Sequence, residues 1–74
     1  MKITIILNGK KEAVEDGTNV LKLLGHKFIR PEVVTVELNE KILEKPKYGE
    51  TILKEGDRIE FVYYMGGGSY AVRR

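Results

Sequence analysis

The chain has no cysteine and no tryptophan, and its 74 residues include one histidine, His26, and one serine, Ser69. Without cysteine there is no disulfide framework, no thiolate nucleophile and no thiolate-held metal. That composition fits a reducing compartment. A single histidine does not make a tetrahedral zinc site, so no metal is expected. A Ser-His pair would need Ser69, near the end of the sequence, to hold a nucleophile in fixed geometry, and none is expected. There is no apolar run long enough to cross a bilayer. No small-residue cleavage site follows Met1-Lys2, so no signal peptide is read and a cytoplasmic location is expected. An excess of one charge is also missing: 13 Lys and Arg stand against 11 Asp and Glu. A nucleic-acid binder would carry a strong basic footprint. Neither nucleic acid nor a membrane is therefore expected as a partner.

What remains fits one small domain with a modest core. Lys2-Ile3-Thr4-Ile5-Ile6-Leu7 is β-branched and alternating, and reads as a strand. Asn8-Gly9 is a strong hairpin signal, because both turn positions need positive φ. Residues 10–15 form the returning strand. Asp16-Gly17 is a second turn, and Thr18 is placed to cap a helix starting near Asn19. Val20, Leu21, Leu23 and Leu24 give that helix an apolar stripe, and Gly25 is placed to stop it. His26 then falls just past the helix end, where positive charge is favoured. Val33-Val34-Thr35-Val36-Glu37-Leu38 is a clear strand. Asn39-Glu40-Lys41 is turn-like, Ile42-Leu43 a brief strand, and residues 45–49 irregular or a single turn. Lys54-Glu55-Gly56-Asp57 is a turn, and residues 58–64 are the last strand. The order is ββαββ: an α+β fold with one helix across a mixed sheet of four to five strands.

Side-chain phase divides the strands into two faces. Ile3, Ile5 and Leu7 share one face, as do Ile59, Phe61 and Tyr63, and these point toward the helix. Ile6, Val62 and Tyr64 fall on the open face. They are either a docking surface or scattered surface apolar residues.

The last strand stops at Gly66-Gly67-Gly68. Without Cβ atoms such a run cannot pack a core, and it can thread a narrow site on another protein. It is not a phosphate loop, which needs Gly-x-x-x-x-Gly-Lys and a following helix. The carboxylates Glu37, Glu40, Glu44, Glu50 and Glu55 sit in strand-exposed or turn-like positions, better explained by solvation than by acid–base catalysis.

Three segments carry a resemblance: Val36-Glu37-Leu38-Asn39, then Leu53-Lys54-Glu55-Gly56-Asp57-Arg58-Ile59-Glu60, then Met65-Gly66-Gly67-Gly68. In this order they resemble the ThiS family of sulfur carriers, with the molybdopterin synthase small subunits (MoaD-like) and ubiquitin-like modifiers as broader relatives. The resemblance spans about residues 1 to 68. It implies a β-grasp domain over residues 1–65, a flexible glycine-rich tail over 66–74, and no active site of its own. It further implies that a ThiF-like adenylating enzyme uses ATP and magnesium to activate the carboxylate of Gly68, with Gly66 and Gly67 threading the tail. Sulfur from a cysteine desulfurase then replaces the adenylate, and the thiocarboxylate supplies thiazole synthase.

This sequence departs from the family pattern in one respect. Ser69 to Arg74 follow Gly68, so Gly68 lies within a peptide bond. Removal of the tail by a metalloprotease would free it. Alternatively the tail is an addition, or the chain is a ubiquitin-like modifier or non-covalent binding module. In that case Tyr70-Ala71-Val72 would contact a partner, or Ile6, Val62 and Tyr64 would.

Overall fold

A computed structural model describes residues 1–64 and 71–73, with side chains described through residue 62. Two antiparallel strands, β1 (Lys2–Leu7) and β2 (Lys10–Glu15), are joined by Asn8-Gly9. Both turn residues take positive φ, at 50° and 85°. Helix α1 (Val20–His26) follows. Then come β3 (Val34–Leu38), β4 (Lys41–Leu43), β5 (Arg58–Tyr64) and β6 (Ala71–Arg73). The sheet order is β2-β1-β5-β3-β4, with β6 pairing β5. β1 and β5 are parallel neighbours at the centre, and the other pairings are antiparallel. This is the mixed-sheet, single-helix β-grasp arrangement expected from the pattern, but with six strands rather than four to five, because Ala71–Arg73, expected to lie in a flexible tail, pair with β5.

The face assignment holds where it is described. Ile5, Val34, Val36, Ile59 and Phe61 from the sheet pack with Val20, Leu23 and Leu24 of the helix, each 1% exposed or less. Each such side chain contributes roughly 1.5–3 kcal/mol by leaving water. Tyr48 closes the core from the loop side. Its hydroxyl donates to the Val34 carbonyl oxygen at 3.2 Å, and burial pushes its phenol above the ordinary range.

The helix boundaries differ from expectation at both ends. The N-cap is Asn19, not Thr18: Asn19 Oδ1 accepts from the Lys22 N–H at 2.7 Å. Thr18 is instead buried, and its carbonyl accepts from Leu53 N–H. The segment 48–53 also supplies acceptors for the helix start, since Val20 N–H donates to Thr51 O and Leu21 N–H to Tyr48 O. A helix of one stable side and seven residues needs such partners, because its first N–H groups have none within it. Leu21 lies 45% exposed, outside the buried stripe of Val20, Leu23 and Leu24.

Gly25 does not stop the helix, and His26 is its last residue rather than a flanking one. The left-handed residue is Phe28, at φ 59°. Phe28 N–H donates to Gly25 O, and Ile29 N–H to Leu24 O. This is the Schellman bonding pattern, and Ile29 packs back onto the core beside it. Burial of Ile29 therefore overrides the local preference for glycine.

Candidate functional site

The site predicted from sequence is the glycine run at the end of β5, and the fold explains how that end is positioned. β5 begins where two of the recognised segments meet. Asp57 Oδ2 accepts from Lys54 N–H at 2.8 Å, closing the turn around Gly56 at φ 84°. Asp57 Oδ1 accepts from Asn39 Nδ2 at 3.1 Å. Asn39 Oδ1 in turn accepts from Arg58 N–H at 2.9 Å. The turn is also fastened to β1: Thr4 N–H donates to Glu55 Oε1, Gly56 N–H to Thr4 O, and Ile6 N–H to Asp57 O. The Glu-Gly-Asp-Arg turn and Asn39 thus set the register of β5. With the register set, the place at which β5 ends, at Tyr64, is set too.

A second asparagine holds β5 from the other side. Asn8 N–H donates to Ile59 O, and Phe61 N–H donates to Asn8 Oδ1, both at 2.8 Å. The sequence suggested Asn8 and Asn39 only as turn residues. Their side-chain roles had no local signal, because the partners lie 53 and 19 residues away.

Gly66, Gly67 and Gly68, the predicted threading and reactive residues, lie outside the described residues. Tyr64 is the last residue of β5, and its side chain likewise lies outside the described part. Ile6 and Val62 are both half-buried. The registers place them on the open face, but not side by side. Ile6 lies between Lys11 on β2 and Arg58 on β5. Val62 lies beside Thr35 of β3, with Glu60 between it and Arg58 along β5. Glu60 in turn faces Glu37 of β3. Charged side chains therefore interrupt the apolar residues of this face. Two shallow hollows open here, one lined by Ile6, Gly9, Arg58, Ile59 and Glu60, the other by Glu37, Glu40, Arg58 and Glu60. Ile42, paired with Glu37 on β4, adds an apolar side chain 70% exposed.

Among the described residues there is no group of three His, Asp or Glu side chains able to hold a metal. No described helix is long and apolar enough to cross a membrane. What the fold defines is a β-grasp domain whose central strand ends at Tyr64, one residue of sequence before the glycine run begins.

The model of the ThiS family matches residues 3–68, ending on the third glycine. The chain belongs to the ThiS family. It is 36% identical to the sulfur carrier protein ThiS of Bacillus subtilis, over 84% of this chain and 96% of that one. It is 39% identical to a thiazole synthase of Magnetococcus marinus over 89% of this chain, but spans about a fifth of that protein's length, 20%. The crystal structure of the thiamine biosynthesis protein ThiS from Geobacter metallireducens superposes with a TM-score of 0.76 at 42% identity. That comparison covers 89% of this chain and all of the other.

Proposed function

We propose that this chain is a sulfur carrier serving formation of the thiazole of thiamine, with no active site of its own. The observation that carries the reading is the family match ending on Gly68, four residues past the end of a central strand with a fixed register. The likeness to thiazole synthases over 89% and 88% of this chain supports the destination of the sulfur.

The chemistry requires a free carboxylate on Gly68, so the Gly68–Ser69 peptide bond must first be hydrolysed, for example by a metalloprotease. A ThiF-like enzyme with ATP and magnesium then joins the carboxylate to AMP, releasing pyrophosphate. A carboxylate is a poor electrophile, and the mixed anhydride makes its carbon attackable. The outer sulfur of a persulfide supplied by a cysteine desulfurase attacks that carbon and displaces AMP, forming an acyl disulfide. A second thiol then reduces the acyl disulfide, leaving a thiocarboxylate on Gly68 and a disulfide on the sulfur donor. This chain supplies a tail without side chains, which can enter a narrow channel. It also supplies a rigid domain by which a partner can recognise it. No cysteine is needed, because the sulfur is held on the C-terminal carbonyl carbon.

The test is intact-mass spectrometry of two forms, the full chain and a form ending at Gly68, each incubated with a ThiF-like enzyme, ATP and magnesium. The Gly68 form is expected to gain AMP and then, with a sulfur source, to exchange one oxygen for sulfur. The full chain is expected to remain unchanged. An inert Gly68 form, with an enzyme that activates the B. subtilis carrier in parallel, would overturn the reading in favour of a binding module.

A further inference from the structure

β5 is flanked by β1 along only part of its length. The pairing covers Ile6–Arg58 and Leu7–Ile59, after which β1 turns away at Asn8-Gly9. Beyond that point the Asn8 side chain continues the edge, accepting the Phe61 N–H. In a strand, the N–H and C=O of every second residue face the same side. Ile59 C=O and Phe61 N–H face β1 and its turn. The N–H and C=O of Tyr63 therefore face that side as well, beyond the reach of β1. β6 occupies this stretch, with Val62 opposite Arg73, Tyr63 opposite Val72 and Tyr64 opposite Ala71. One edge of β5 is thus covered in three consecutive ways: by a parallel strand, by an asparagine side chain and by an antiparallel strand from the chain's own tail.

We infer that the β5 edge from Phe61 to Tyr64 is a strand-acceptor site, filled in cis by Ala71–Arg73. We further infer that filling it is incompatible with an extended tail. Tyr64 and Ala71 are a paired couple, so seating β6 holds them about 5 Å apart. The six residues between them would span roughly 20 Å if extended. Threading the glycine run into a partner's site therefore requires β6 to leave β5. The backbone groups of Tyr63 then lie open to another extended segment, the mode by which strands add to exposed sheet edges. The seated strand is an autoinhibitory contact, and it also protects a sheet edge that would otherwise invite pairing with other chains. This inference concerns the backbone alone and stands whether or not the chain carries sulfur.

Amide hydrogen exchange on the full chain tests it, using the natural sequence, Val72→Pro and Val72→Thr. Val72 pairs with Tyr63 on the hydrogen-bonding side, so proline there removes a ladder donor, whereas threonine keeps it. The Tyr63 amide is expected to exchange about tenfold faster in Val72→Pro and within about threefold of the natural rate in Val72→Thr. The Ile5 and Leu24 amides report the core and are expected to keep their protection in all three. Equal Tyr63 exchange in the natural chain and Val72→Pro, with the core protected, would overturn the inference. So would equal acceleration in Val72→Pro and Val72→Thr.

Discussion

The two hairpins are built alike and solved differently. Asn8-Gly9 joins β1 to β2, and Asn39-Glu40 joins β3 to β4. In each, both turn residues take positive φ, and in each the asparagine side chain leaves its own hairpin to accept a β5 backbone N–H. β5 is therefore gripped from both sides by the same device, once from a parallel and once from an antiparallel neighbour. The differences are in how completely each turn is satisfied. Both polar atoms of the Asn39 amide are bonded, with Nδ2 donating to Asp57, while Asn8 Nδ2 is buried without a hydrogen-bond partner among the described residues. Conversely, Gly9 takes positive φ freely, whereas Glu40 must hold a side chain at φ 71°. One hairpin has glycine at its second turn position and an amide nitrogen unpartnered among the described residues; the other has a bonded amide and a side chain held at positive φ there. Local turn preference and long-range hydrogen bonding were thus met separately.

Breaking the grips should separate the two. Asn39→Ala removes the acceptor of Arg58 N–H and the donor to Asp57, and places alanine in the left-handed region. A loss of about 2–3 kcal/mol is expected in urea unfolding. Asn8→Ala places alanine in the left-handed region as well and orphans Phe61 N–H, but it also deletes the Nδ2 that has no partner among the described residues, so the expected loss is smaller, about 1–2 kcal/mol. Equal losses would mean that the unpartnered amide is of no consequence.

The backbone side of the comparison is sharpened by Glu40→Gly. Relief of left-handed strain, reduced by glycine's greater freedom in the unfolded chain, should stabilise by about 0.5–1 kcal/mol. A loss instead would show that the Glu40 side chain holds the turn.

Much of this was legible in the residues. Both turns, the alternation that buries Ile5, Ile59 and Phe61, and the order of elements follow from short-range rules. So does the family resemblance, carried by three segments in order. Legibility failed where a distant partner outweighed a local preference. Thr18 is a good cap, yet Leu53 N–H claims its carbonyl and Asn19 caps instead. Gly25 is a good helix stop, yet burying Ile29 moves the stop to Phe28. Ile6 and Val62 share the expected face, but their separation by Arg58 and Glu60 depends on the offset between β1 and β5.

By itself the sequence determined the elements, their inward faces and the placement of a glycine run after the last strand, because periodicity, turn chemistry and the absence of Cβ act over a few residues. Only the tertiary structure decided that β5 lies between β1 and β3, that two asparagines grip it, and that Ala71–Arg73 complete its edge. Those outcomes depend on which strands become neighbours and in what register. Backbone N–H and C=O groups are the same at every residue, so no side-chain pattern within one segment names the partner they will find.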